Sequence, residues 1–200
     1  MNEQNRTILI IASRLLNYPT DSSDEKKNIY ECIEEDITNE TLKEELLHAC
    51  DGLFKLSPLE REELYVFTFD LKSKQCLYLT AHELGDSTKR GAALIKLQKI
   101  VNQAGFEREV GELADYIPML FEFLAVVPGV TPDIDRLSQR LGVAIHRILE
   151  HIDKENPYTA ILTLLMDYIF PVPTQEQIEK LEFDREEADL EELPYPIMYQ

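Results

Sequence analysis

Basic residues, tryptophan and glycine are all scarce in this chain of 200 residues. The chain has twenty lysines and arginines but thirty-eight aspartates and glutamates, so its formal net charge is −18. It has no tryptophan and seven glycines. A nucleic-acid-binding surface needs many Lys and Arg side chains to displace counterions from phosphates. Binding to nucleic acid or to an anionic membrane surface is therefore not expected, and a positively charged partner is favoured.

Cysteines and long apolar runs are also few. Cys32, Cys50 and Cys76 are odd in number, lie far apart and form no CxxC motif, so we interpret them as reduced thiols. The apolar run 8–12 is short and no small-residue cleavage site follows it, which is not typical of a secretory signal. No stretch approaches the roughly 18 to 20 apolar residues of a membrane-spanning helix. These features predict a cytoplasmic protein without direct membrane insertion.

Common catalytic and phosphate-binding motifs are missing. Neither GxGxxG nor GxxxxGK[ST] occurs, and GxSxG and HExxH are absent as well. His146 and His151 are five residues apart, or about 140° on a helical wheel, which is poor geometry for a shared metal ion. The residues therefore predict no metal, no cofactor and no enzymatic activity. A metal-dependent helical hydrolase with scattered carboxylate ligands remains an alternative.

Apolar residues recur with helical spacing along nearly the whole chain as far as residue 170. The predicted helices cover residues 5–17, a short segment with a capping box from Ser22 to Glu25, residues 39–55, a segment that starts at Ser57, residues 86–103, a segment around 113–127, residues 131–152 and residues 158–170. In this interpretation Asp86 caps its helix and Gly105 ends it. Pro118 either kinks its helix or marks a late start. Three arginines, Arg136, Arg140 and Arg147, are placed on the outer face of the helix 131–152.

Residues 65–80 allow two interpretations. Tyr65 to Leu71 and Cys76 to Thr80 are rich in aromatic and β-branched residues, and a polar stretch separates them, which is typical of a β-hairpin. A lone hairpin is only marginally stable in water, and no other segment supplies strands to pair with it. We therefore favour helix and connecting loop.

The end of the chain differs from the rest in composition. Pro171 and Pro173 end the predicted compact part, and acidic residues dominate beyond them. The predicted division is a helical domain over residues 1–172 and an acidic C-terminal tail over residues 173–200, partly disordered, in which Thr174 and Gln177 could start one further short helix. The tail either keeps the protein soluble or acts as a lid that competes for a partner's basic site.

Two segments carry a family resemblance. The sequences FDL…LYLTAHELGDSTKRGAAL and ELADYIPMLFEFL, within residues 68–94 and 112–124, resemble the NarJ type of nitrate reductase assembly chaperone in the wider TorD-like family of molybdoenzyme chaperones. The resemblance covers roughly residues 8–170. Ala114 departs from it, because the family's motif usually carries a proline there.

The resemblance implies an all-α, single-domain, TorD-like helical bundle without enzymatic activity. Such proteins bind the apo form of the catalytic α subunit of respiratory nitrate reductase in the cytoplasm. They keep it competent for molybdenum cofactor insertion and delay its docking on the membrane subunit. A monomer or weak dimer is expected. A helical adaptor that binds a different basic or amphipathic segment is the alternative.

The resemblance also directs attention to partner-binding residues. We expect a groove between helices to receive an amphipathic segment from the client's amino terminus, with charge complementarity at its rim. The candidates are Tyr78, Leu79, His82, Asp86, Arg90, Glu112, Asp115, Tyr116, Pro118 and Phe123. Among them, Glu112 and Asp115 would receive client Lys or Arg side chains. Tyr78, Tyr116 and Phe123 would supply an apolar wall, with Phe123 as a core residue being the structural alternative.

Overall fold

The computed structural model of the chain describes residues 1–20, 23–106 and 111–183, and these residues form ten α-helices and one π-helical turn, with no β-strand. The helices are α1 (Glu3–Leu16), α2 (Ser23–Asp36), α3 (Glu40–Phe54), α4 (Pro58–Tyr65), α5 (Leu79–Leu84), α6 (Arg90–Gln103), α7 (Ile117–Val126), α8 (Pro132–His151), α9 (Tyr158–Tyr168) and α10 (Gln175–Phe183), and the π-helical turn is Val66–Asp70. The expected all-α fold is confirmed.

Local sequence signals set several helix starts. Asn39 caps α3 by accepting a hydrogen bond from the Leu42 amide, 3.2 Å away. Ser57 and Glu60 form the expected capping box at α4, with the Ser57 amide 2.8 Å from the Glu60 carboxylate. Thr131 caps α8 by accepting a hydrogen bond from the Ile134 amide, 3.3 Å away. The capping box expected at Ser22 lies outside the described residues.

The core is built around α1. This helix packs against α7 and α9, and Ile8, Leu9, Ala12 and Leu16 have no exposed surface. The stripe predicted for α3 is buried throughout: Leu42, Leu46, Ala49, Cys50 and Leu53. Burial of such apolar side chains is the main favourable contribution to the free energy of folding.

Residues 65–80 form no hairpin. Helix α4 continues into the π-helical turn, and a loop follows it to α5, so the preference for helix and loop is confirmed. Only the residue pair Tyr78 and Tyr116 forms an isolated antiparallel bridge among the described residues. In the loop between the π-helical turn and α5, the Gln75 amide donates to the carbonyl oxygen of Lys72 at 2.9 Å, which is a turn and not a strand pairing.

The predicted start of α6 is wrong by about one turn. Asp86 is exposed and does not cap the helix, which begins at Arg90. The backbone turns first at Ser87, whose carbonyl oxygen accepts from the Arg90 amide at 3.0 Å and whose hydroxyl oxygen accepts from the Lys89 amide at 3.3 Å. These bonds form a turn ahead of the helix; the N-cap position of α6 is Lys89, whose side chain makes no capping hydrogen bond. Gly105 follows the end of α6 with φ 85°, as expected.

Pro118 marks a late helix start and not a kink, because α7 begins at Ile117 and places the proline in its first turn. No helix of the described part of the chain is both long and apolar enough to cross a membrane.

Arg140 contradicts the prediction that it lies on the outside of α8. Its side chain is 5% exposed and makes two hydrogen bonds to Glu83 of α5, Nε to Oε1 at 2.6 Å and Nη2 to Oε2 at 2.8 Å. The periodic pattern cannot distinguish a solvent-facing arginine from one covered by a neighbouring helix. This ion pair joins α5 to α8.

Helix α10 begins as predicted at Thr174 and Gln177, which exchange hydrogen bonds of 2.9 and 3.2 Å. Its Ile178 and Leu181 line a narrow cleft together with residues of α5, α6 and α8. The cleft leaves about 30 Å³ of free space, enough for no more than one or two water molecules. Helix α10 therefore packs against the bundle through Ile178 and Leu181.

Candidate functional site

The two sequence segments that carry the family resemblance lie side by side. The Ile117 amide donates to the carbonyl oxygen of Leu77, and the Leu79 amide donates to that of Asp115, each at 2.9 Å. These bonds form the antiparallel bridge between Tyr78 and Tyr116. The bridge places the start of α5 against the residues that precede α7.

Asp115 holds this junction together from inside. It has no exposed surface, and its Oδ2 accepts hydrogen bonds from the Thr80 amide at 3.2 Å, from the Thr80 hydroxyl group and from Arg90 Nη2 at 3.4 Å. Arg90 Nε also donates to Thr80 Oγ1 at 3.0 Å. Asp115 thereby ties the first residue of α6 to the first turn of α5. The carboxylate that was expected to receive a client Lys or Arg is thus fully buried in this structure and is hydrogen-bonded within the protein.

Tyr116 also lies inside the protein, 6% exposed. Its hydroxyl group donates to Asn17 Oδ1 and is hydrogen-bonded to the Tyr65 hydroxyl group, each at 3.0 Å. Burial raises the pKa of Tyr116 to about 12, so the phenol stays protonated. Its ring lies 5.5 Å from that of Tyr78, which is half-buried. Tyr116 therefore positions Tyr78 and does not itself form an exposed wall.

Three further candidates are core residues. Leu79, Pro118 and Phe123 are all buried, and Phe123 meets Phe106 edge to face with ring centroids 5.6 Å apart. Phe123 is therefore a core residue, as the structural alternative for it predicts. Glu112 is half-buried and does not line the groove described next.

The remaining four candidates border one open groove, which we call the motif groove. Its volume is about 750 Å³. The groove is lined by Phe69, Asp70, Ser73, Lys74, Cys76, Tyr78, Ala81, His82, Gly85, Asp86, Arg90, Arg147, Glu150 and His151. Carboxylates and cations both occur along it, so its rim has mixed charge. It is large enough to receive side chains of a peptide segment.

His82 forms the floor of this groove near α8. Its Nε2 lies 2.7 Å from the carbonyl oxygen of Cys76, so Nε2 carries a proton and donates it. The carbonyl oxygen of His82 accepts from Arg147 Nη1 at 2.9 Å. Burial is the main cause that lowers the pKa of His82 below its usual 6.5. The imidazole is therefore neutral at neutral pH and serves as a hydrogen-bond donor.

This lowered pKa predicts a loss of stability in acid. Because the unfolded chain takes up a proton on His82 more readily, the free energy of unfolding should fall as the pH drops below about 6.5. The decrease stops growing once the pH is below the folded-state pKa. His82→Gln keeps an N–H donor for Cys76 but does not titrate, so its melting temperature should depend less on pH between 5 and 7.

The comparison uses melting curves of the wild type, His82→Gln and a control, His48→Gln, at an exposed position. The control should follow the wild-type slope. A His82→Gln slope equal to that of the wild type contradicts the role given to His82.

Two groups of functional candidates were missed from the sequence. Arg147, Glu150 and His151 of α8 line the motif groove, yet nothing in a regular amphipathic helix distinguishes them from ordinary surface residues. Exposed apolar side chains near Phe67 and Leu71 form a second surface. A signal for it exists, since residues 59–71 carry more apolar side chains than one buried stripe of a helix requires.

Known proteins similar to this chain match it in sequence and in fold. A protein of Bacillus subtilis (strain 168), named as the nitrate reductase molybdenum cofactor assembly chaperone NarJ, is 34% identical over 126 residues, which cover 62% of this chain and 68% of that protein. The chain belongs to the NarJ family of assembly chaperones. The NarJ protein of Escherichia coli (strain K12) is 28% identical over 173 residues, 79% of this chain and 67% of that protein. No protein-family model matches the chain.

The fold agrees with that of a solved structure. A protein of Archaeoglobus fulgidus described as a redox enzyme maturation protein superposes with a TM-score of 0.58 over 82% of this chain and 93% of that chain, at 15% sequence identity. The sequence relatives confirm the resemblance to the NarJ family, and the solved structure agrees with the fold. NarJ-family proteins are assembly chaperones and not enzymes, so the hydrolase alternative is dropped.

Proposed function

We propose that this protein binds the catalytic α subunit of a respiratory nitrate reductase in the cytoplasm before the molybdenum cofactor is inserted. Bound in this way, the chaperone keeps the apo subunit from docking on its membrane partner. Its relatives are named for nitrate reductase molybdenum cofactor assembly, which supports the choice of client. The observation that carries the proposal is that four candidates of the first motif segment line one open groove, and that the second segment supports it from inside through Asp115 and Tyr116.

The client segment is the α subunit's amino terminus, and it binds in the motif groove as an amphipathic helix. The groove has firm walls, because the hydrogen bonds of Asp115, Thr80 and Arg90 hold its α5 and α6 sides in place. Tyr78 offers a half-buried aromatic surface to an apolar anchor of the client. Preformed walls reduce the entropy lost on binding.

Charge supports a basic client segment. Asp70 and Asp86 are exposed on the groove rim, and the whole chain carries a formal charge of −18. A client segment rich in Lys and Arg would be attracted over several ångströms, and the attraction would weaken with added salt.

We propose the same division of the chain as the sequence predicts, with the chaperone unit in residues 1–172 and an acidic segment in residues 173–200. Helix α10 belongs to the second part and packs on the first through Ile178 and Leu181. The chaperone would act as a monomer or weak dimer.

Calorimetric titration with a peptide from the amino terminus of the cognate α subunit tests the proposal. We expect saturable binding that weakens with salt and is absent for a scrambled peptide. The double variant Asp70→Asn/Asp86→Asn should raise Kd about fivefold, since each exposed ion pair contributes up to about 1 kcal/mol.

A matched control is Asp133→Asn/Asp167→Asn, which removes two charges from exposed positions outside the groove. Its Kd should remain near the wild-type value. Absence of heat with the α-subunit peptide, or equal weakening by both double variants, contradicts binding in the motif groove.

A further inference from the structure

A second surface of the protein carries large apolar side chains in contact with solvent. Four of these side chains are about half exposed or more: Tyr18 at 48%, Leu59 at 64%, Phe67 at 59% and Leu71 at 71%. Together with Leu64 and Val66 they line one shallow groove of about 700 Å³, which we call the apolar surface. Single exposed apolar residues are ordinary, but a contiguous patch of them marks an interaction site.

The π-helical turn explains why these side chains face outward. Thr68 and Phe69 are buried in the bundle, and the Thr68 hydroxyl oxygen accepts from Asn156 Nδ2 at 2.8 Å. With these two residues held inside, Phe67 and Leu71 lie on the solvent side. The Leu71 amide donates to the carbonyl oxygen of Val66 at 3.1 Å, which closes the wide turn. Such turns are rare and occur frequently at functional sites.

The rim of the apolar surface is acidic. Glu60, Glu62 and Glu63 line the same groove. Glu60 accepts hydrogen bonds from the Ser57 amide and hydroxyl groups, and these bonds lower the pKa of its carboxyl group, so it remains ionised. The ammonium group of Lys72 lies 4.3 Å from the centroid of the Phe67 ring. A cation is thus accommodated directly beside the apolar side chains.

We propose that the apolar surface binds an amphipathic helix whose apolar stripe is flanked by lysine or arginine. The apolar stripe would cover Phe67 and Leu71, and the flanking cations would face the three glutamates. A second copy of this chain fits less well, because a symmetric contact would bring the same glutamates together. The apolar surface includes no residue that lines the motif groove, so this inference does not depend on the proposed nitrate reductase client.

Fluorescence anisotropy with a labelled leucine–lysine peptide of helical periodicity tests the inference on the full chain. Phe67→Ser/Leu71→Ser should raise Kd at least tenfold, because central apolar anchors dominate such interfaces. The control Val130→Ser/Val172→Ser changes two apolar residues that are 75% and 66% exposed elsewhere, and it should bind as the wild type does. A peptide of the same composition with its periodicity scrambled should bind at least tenfold more weakly.

Equal binding by the wild type and Phe67→Ser/Leu71→Ser overturns the inference, since the peptide would then bind elsewhere on the chain. Sedimentation of the protein without peptide gives a second criterion. If the wild type is a dimer and Phe67→Ser/Leu71→Ser is a monomer, the apolar surface pairs two copies of the chain, and the inference is likewise wrong. Neither result bears on the α-subunit titration, whose variants lie in the motif groove.

Discussion

Asp115→Ala should lower the free energy of unfolding by about 3 kcal/mol, the size expected when one partner of a buried charged pair is removed. The substitution leaves the Thr80 amide, the Thr80 hydroxyl group and Arg90 without their shared acceptor. An unsatisfied buried donor is costly, and Thr80 has no exposed surface, so no water replaces its lost acceptor. For a chain of this length, the melting temperature should fall by about 6 to 12 °C.

Thermal or urea unfolding followed by circular dichroism measures this effect. Asp115→Asn keeps one acceptor oxygen but not the charge, so its loss should be about half as large. Asp86→Ala provides the matched control, because Asp86 is an exposed aspartate at the same groove. It should unfold as the wild type does. If Asp115→Ala is as stable as the wild type, the positioning role is wrong. Asp115 then remains a candidate for direct contact with the client.

Glu83→Ala should also cost about 3 kcal/mol of unfolding free energy, because Arg140 is 5% exposed and loses a carboxylate that binds it at two points. The two hydrogen bonds, 2.6 and 2.8 Å long, have the fork geometry that favours arginine over lysine. Since this pair joins α5 to α8, its loss should also loosen the motif groove, which both helices line.

A double-mutant cycle separates the coupling free energy of Glu83 and Arg140 from the separate effects of the two substitutions. Arg140→Met replaces the charge by an apolar side chain of similar length. Combined with Glu83→Leu it should recover most of the stability that Glu83→Leu loses by itself, since an apolar pair of similar volume often equals a buried ion pair. If the combined variant is as unstable as the sum of the single variants, the two side chains act independently and the assigned coupling is wrong.

Local sequence patterns predicted the helices well and the site only in part. The stripe of α3 and the capping box of α4 depend on contacts within a few residues, so reading the chain locally was sufficient. The start of α6 was misplaced, because Asp86 is a typical capping residue, whereas in the structure a turn closed by the Ser87 carbonyl oxygen precedes the helix, which begins at Arg90. Arg140 was misplaced because its partner, Glu83, lies 57 residues away.

The motif segments likewise do not predict which of their residues are buried. They identified the correct region of the chain, yet Asp115 and Tyr116 are buried, while Tyr78, His82, Asp86 and Arg90 line a groove. A sequence motif records which residues belong together but not which of them face solvent. Phe67 lies outside both motif segments, and nothing in the first segment distinguishes Leu71 as exposed.

The sequence by itself therefore determined the helical class, the acidic character, most helix boundaries and the family. The first three follow from composition, from periodicity or from residues close along the chain, and the family follows from the resemblance of the two motif segments. Only the tertiary structure decided that Asp115 is a buried link, that Arg140 pairs with Glu83 and that Phe67 and Leu71 remain uncovered. Burial and pairing between distant segments depend on which helices pack together, and that packing is a property of the whole chain.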